Sequence, residues 1–165
     1  MSTNYAPAPE VKEIAEQLIP LYHPHLSGAR IEYVFTDKVT KRANKEVWGT
    51  MRKVSNLAAY LAGDQQSRQQ GVTEEFFVMT ITEPIWEDLE EDKREALVDH
   101  ELCHAMLQID KKGDPKLSIL PHDLEEFTAI VKRHGLWRED VKRFAESAGH
   151  YEEEEDEEET KVDES

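Results

Sequence analysis

Lys93-Arg94-Glu95-Ala96-Leu97-Val98-Asp99-His100-Glu101-Leu102-Cys103-His104 is the stretch that decides how this chain folds. It is built largely from good helix formers, and Glu90, Glu91 and Asp92 stand at its start, where acidic groups suit the positive end of a helix dipole. Lys111, Lys112, Gly113 and Pro115 supply the stop. The pattern predicts one helix over residues 91–109. Val98, Leu102, Ala105, Met106 and Ile109 would share one apolar face of it, and Leu97, His100, His104 and Leu107 another. A largely buried helix is therefore expected, with its histidines turned into a cleft.

Residues four apart on an α-helix sit one above the other, which lets the imidazoles of His100 and His104 each reach one zinc ion at about 2 Å. Glu101 is offset by one position and lies beside the ion without ligating it, placed to take a proton from a zinc-bound water and return it to a leaving amine. Zinc lowers the pKa of that water towards about 7 and polarises the scissile carbonyl. The plainer reading is a pair of satisfied core histidines. Two buried imidazoles and a buried carboxylate would then each need a partner, whereas one cation serves all three.

A catalytic zinc takes a third protein ligand and keeps one position open. His122, Glu125 and Glu126 are the candidates. Asp123 and Glu126 are spaced as a helix-capping pair, which puts His122 ahead of Glu126, and Glu126 ahead of Glu125. Cys103 points about a hundred degrees away from His104 and reads as a core residue. His23 and His25 flank Pro24 in a polar turn and read as exposed histidines. Arg133 and His134 stay unassigned, because cations near a helix C-terminus are favoured by the dipole alone.

Outward from the motif, Val11, Ile14, Leu18 and Tyr22 recur at helical spacing, and Ile31-Glu32-Tyr33-Val34-Phe35-Thr36 has the β-branched and aromatic content of a strand. A second strand is expected to begin beside Gly49, with residues 57–62 able to turn helical. Phe76-Phe77-Val78-Met79-Thr80-Ile81 is a third strand, closed by Pro84. Pro121-His122-Asp123 is expected to open a helix that ends at Gly135, and a last helix carries Trp137, Val141, Phe144, Ala145 and Ala148. The sum is an α+β domain, a sheet of about three strands packed on helices that include the motif helix.

The chain has 165 residues and a formal net charge of −16. Ten acidic residues against Lys161 put −9 of that between Glu152 and Ser165, leaving −7 for everything before. Such a block cannot bury enough surface to offset its ordering entropy, so residues 151–165 are expected to be an acidic disordered tail. Residues 1–8 are expected to be a flexible arm, and residues 9–150 the folded domain. The charge argues against direct nucleic-acid binding or an anionic membrane. Cys103 is the only cysteine, which rules out an intrachain disulfide and a Cys-rich zinc cage and suits the cytosol. No signal-peptide pattern opens the chain and no apolar run approaches the roughly 20 residues a bilayer requires, so an intracellular protein is expected.

These residues resemble a known family, the phage-encoded metallopeptidases related to the SprT-like zinc proteases. Phe76-Phe77-Val78 with Trp86 and the segment Lys93 to His104 is similar to the family's strand and its His-Glu-x-x-His helix. His122-Asp123-Leu124-Glu125-Glu126-Phe127 with Arg133-His134-Gly135 resembles its second signature, although Asp123 stands where SprT-like proteins have glycine. Tyr33-Val34-Phe35 is similar to its early strand. The resemblance implies a minimal zincin-like fold, a zinc ion with His122 as third ligand, and peptidase activity on protein or peptide substrates in the cytoplasm of a phage-infected bacterium. The substrate is expected to add a strand along residues 76–82. The competing reading is a non-catalytic zinc protein whose acidic surface captures a basic host protein.

Overall fold

The computed structural model describes residues 2–71 and 74–149. In chain order they form β1 (Tyr5–Pro7), α1 (Pro9–Tyr22), a 3-10 turn (Pro24–Leu26), β2 (Ile31–Thr36), β3 (Lys41–Arg42), β4 (Lys45–Glu46), β5 (Gly49–Val54), α2 (Asn56–Ala62) and α3 (Gln65–Gln70). There follow β6 (Phe76–Thr82), α4 (Glu83–Asp88), α5 (Glu91–Cys103), β7 (Ala105–Ile109), β8 (Pro115–Ile119), α6 (Thr128–His134) and α7 (139–149). The fold is mixed α+β. Two compact units divide the chain, Met1–Leu120 and Pro121–Ser165.

In the first unit the period-two pattern of β6 buries Phe77, Met79 and Ile81 on one face. They join one core with Val11, Ala15 and Leu18 of α1 and Leu97, Val98 and Leu102 of α5. The sheet order is β1-β2-β6-β5. β2 runs parallel to β6 with Tyr33 opposite Met79, and β5 runs antiparallel to it with Met51 opposite Met79. β6 is thus interior, and β5 is an edge of that sheet. Trp86 on α4 closes the core: its indole N–H donates to Glu10 Oε2 at 3.2 Å, and the Arg94 guanidinium lies 5.1 Å over its ring and donates to its carbonyl at 3.0 Å.

The three expected strands are present as β2, β5 and β6, but several expectations are corrected. Residues 5–7, read as part of a flexible arm, pair with β2 as a fourth strand, Ala6 opposite Phe35. The motif helix ends at Cys103 instead of running to residue 109, and Ala105–Ile109 forms a hairpin with Pro115–Ile119, Leu107 opposite Leu117. The turn explains the change. Asp110 Oδ1 accepts from the N–H groups of Lys112 and Asp114 at 2.8 and 2.9 Å, and Gly113 adopts a φ of +85°, the left-handed conformation glycine tolerates.

The second unit begins without helix. Residues 121–127 are irregular and α6 starts only at Thr128, so Pro121 does not open a helix and the Asp123–Glu126 capping pair is not formed. Glu126 Oε1 instead accepts from the Phe127 N–H at 2.9 Å. Gly135 ends α6 at a φ of +66°. The acidic tail at residues 151–165 lies outside the described residues. Among the described residues, no helix is long and apolar enough to cross a membrane.

Candidate metal centre

α5 begins with Glu91 and Asp92 in its first turn and buries Leu97, Val98, Glu101 and Leu102. Because the helix stops at Cys103, His104 is its C-cap, its N–H donating back to the Glu101 carbonyl at 3.1 Å. The two motif histidines therefore share the final turn. Their rings meet edge to face, centroids 5.2 Å apart, and each offers a nitrogen within 4.8 Å of the other's. His100 is exposed and His104 half-buried. The helix buries only its apolar side, and its histidine side is more open than the expected two-faced burial.

His104 is fixed in orientation. Its Nδ1 lies 2.7 Å from the Leu120 carbonyl, and its own backbone carbonyl accepts from the Leu120 N–H, also at 2.7 Å. A carbonyl only accepts, so in this hydrogen bond the proton sits on Nδ1.

Glu101 is 4 % exposed. Burial pushes its carboxyl above the ordinary carboxylate range, and the nearby His104 offsets this only in part. A buried carboxylate is costly unless a cation compensates it, and imidazole nitrogens such as those of His100 and His104 are donors that a zinc-class ion accepts. The residues present thus fit a divalent metal.

The carboxylate opens on a cleft of about 720 Å³ lined by Trp48, Gly49, Lys93, Leu97, His100 and Glu101, with Val47 and the β4 residues Lys45 and Glu46 at its rim. Thr82, itself buried, sets this wall: its hydroxyl donates to the Val47 carbonyl at 2.7 Å and its N–H to the Trp48 carbonyl at 2.9 Å. Space beside Gly49 is tight. A Cβ there would lie 3.0 Å from Ile81 Cδ1 and 3.1 Å from Glu101 Oε1. The sequence marked Gly49 only as the start of a strand, and neither Trp48 nor Thr82 carried any motif signal.

Two further readings are corrected. His23, expected to be an exposed turn histidine, is 5 % exposed and bonds Asp99. Cys103, expected in the core, is exposed. His25 is exposed as expected, its Nε2 lying 3.3 Å from the Ala105 carbonyl. His122, Glu125 and Glu126 belong to the irregular start of the second unit, and Arg133 and His134 to the last turn of α6.

Fold and site together describe a class: a mixed α+β protein with a helix-borne histidine pair and a buried carboxylate facing an open cleft. Residues 3–149 match the family model described as putative phage metallopeptidase, and the chain belongs to that family. A metallopeptidase family implies a bound metal and protein or peptide substrates. Comparison with curated proteins and with solved structures gave no match.

Proposed function

We propose that the chain is a zinc-dependent peptidase of zincin-like fold, with His100 and His104 as metal ligands and Glu101 as general base. The third ligand in this reading is His122, which follows Leu120 by two residues in the chain, with Glu126 and then Glu125 as substitutes. The observation that carries the proposal is the burial of Glu101 at the wall of a cleft that His100 also lines, with His104 near enough to act on its charge. The zincin-like reading is supported by a mixed sheet whose edge strand β5 runs antiparallel to β6, with the motif helix packed against that sheet.

Bound zinc would polarise the scissile carbonyl and acidify an attacking water. The chain's own groups do the rest. The Leu120 carbonyl holds the His104 ring in the tautomer that carries its proton on Nδ1, so that Nε2 would be the metal-ligating atom. Glu101 takes the proton from the attacking water and passes it to the leaving amine, and the absence of a side chain at Gly49 leaves the carboxylate the space it occupies.

Substrate is not expected along β6, which is paired on both sides. The open edge of β5 replaces it: an extended peptide can add a strand there and run beside Trp48 into the cleft. This activity would be exercised on proteins in the cytoplasm of a phage-infected cell.

Glu101→Gln keeps the shape of the side chain and removes its basicity. The variant is expected to bind zinc at wild-type stoichiometry and to lose hydrolysis of an unfolded protein substrate by about 100-fold or more, the scale of general-base catalysis. Retained turnover at matched zinc occupancy would remove Glu101 from the mechanism. A zinc ion held by four protein ligands with no open position would support the capture role instead.

A further inference from the structure

α5 carries a second pair of ligand-type side chains four residues apart, Asp99 and Cys103, rotated by one residue from His100 and His104. They meet His23 at the end of α1. His23 Nε2 lies 2.5 Å from Asp99 Oδ1, and one ligand atom each of His23, Asp99 and Cys103 falls within 4.8 Å of the other two. We propose that His23, Asp99 and Cys103 form a second site for a divalent cation of the zinc class, separate from the His100–His104 pair and sharing no ligand with it.

Three observations support the site. His23 is buried and its backbone is fixed on both sides, its N–H donating to the Ile19 carbonyl and its carbonyl accepting from the Leu26 N–H, both at 2.9 Å. With burial and the bond to Asp99 holding the ring as well, the imidazole is preset, as a ligand should be. Asp99 is 41 % exposed at its side chain and Cys103 is exposed, so an ion has a path in and a solvent position to complete its shell. Thiolate, imidazole and carboxylate together make a donor set suited to Zn²⁺ or Co²⁺ rather than to Mg²⁺ or Ca²⁺.

The geometry also argues against a cysteine–histidine–aspartate relay. In a relay the thiol and the carboxylate sit on opposite sides of the imidazole, about 7 Å apart when each is hydrogen-bonded to its own ring nitrogen. Here the sulfur and the carboxylate oxygen lie within 4.8 Å of each other as well as of the ring, so the three converge on a point. Zinc bonds of about 2.0–2.3 Å place tetrahedral ligand atoms roughly 3.3–3.8 Å apart, so His23 and Asp99 need part by only about 1 Å. The ion would replace the proton now between them and fasten the end of α1 to the last turn of α5.

Cys103 is the only cysteine, so thiolate-to-cobalt charge-transfer absorption can arise from no other residue. Titrating the metal-free full chain with Co²⁺ is expected to produce that near-ultraviolet band. It should persist in the His100→Ala/His104→Ala double variant and vanish in Cys103→Ser and His23→Ala, each of which should also bind one equivalent of Zn²⁺ fewer than the parent. Circular dichroism checks folding, and if buried His23→Ala does not fold, Asp99→Asn replaces it with an expected loss of about tenfold or more in Co²⁺ affinity. The inference is overturned by a parent chain without the band at saturating Co²⁺. It is equally overturned by a band that survives His23→Ala or leaves Asp99→Asn affinity unchanged, or by one that disappears with His100 and His104. It does not rest on the peptidase reading, because an inactive chain that shows the band still has the site.

Discussion

Glu101 and Tyr33 show how burial sets the charge state of single residues. Tyr33 lies on β2 against the core, and burial, helped by Glu16 and then Glu32, pushes its hydroxyl from its ordinary 10.0 up to about 12. The folded state therefore holds this proton more tightly than the unfolded chain. Its contribution to stability is complete below pH 10 and is lost as pH rises towards about 12. Tyr33→Phe cannot titrate, so urea unfolding from pH 9 to pH 12 should show the parent losing stability over that window more steeply than the variant. Parallel curves would show that the Tyr33 hydroxyl is not shifted. Motif residues are legible at this scale, since His100, Glu101 and His104 follow from spacing alone. The burial of His23 was not legible, because only the meeting of α1 with α5 gives it Asp99.

Among the elements, the junction of β5 with α5 decides how the cleft works. Gly49 lets the strand pass close to Glu101, and the Cβ of Ala there would stand 3.1 Å from Glu101 Oε1 and 3.0 Å from Ile81 Cδ1, tighter than ordinary van der Waals contact, so that both side chains would have to shift by a few tenths of an ångström. Gly49→Ala is expected to lower turnover by about tenfold while zinc stays bound and the thermal midpoint moves by only a few degrees. Unchanged turnover would mean that the carboxylate adjusts freely. The strands β2, β5 and β6 could be read from β-branched and aromatic runs. The end of α5 could not, because Ala105, Met106, Leu107 and Gln108 are all sound helix formers and only pairing with Pro115–Ile119 draws them into a strand. The helix expected at Pro121 misled for a related reason: capping chemistry at Asp123 and Glu126 offers a start but supplies no packed face.

For the molecule as a whole, Trp86 joins elements far apart in sequence. It meets Phe35 of β2 with ring centroids 5.9 Å apart, Glu10 at the start of α1 and Arg94 of α5, and is 2 % exposed. Trp86→Ala removes the largest fully buried side chain and is expected to cost about 3–5 kcal/mol, measured by denaturant unfolding. A loss below about 1 kcal/mol would mean the core repacks around the gap.

Composition and local pattern were sufficient for the α+β class, the strands β2, β5 and β6, the motif helix and its two histidines with their glutamate, because each rests on a periodicity or a spacing carried by neighbouring residues. Tertiary structure alone decided the rest. β1 needs β2 beside it, β7 needs β8, and the cleft wall at Val47 and Trp48 is held by Thr82, more than thirty residues further along the chain. The physical reason is common to all of them: a hydrogen bond or a close approach between distant segments exists only after the chain has folded, and no local propensity encodes it.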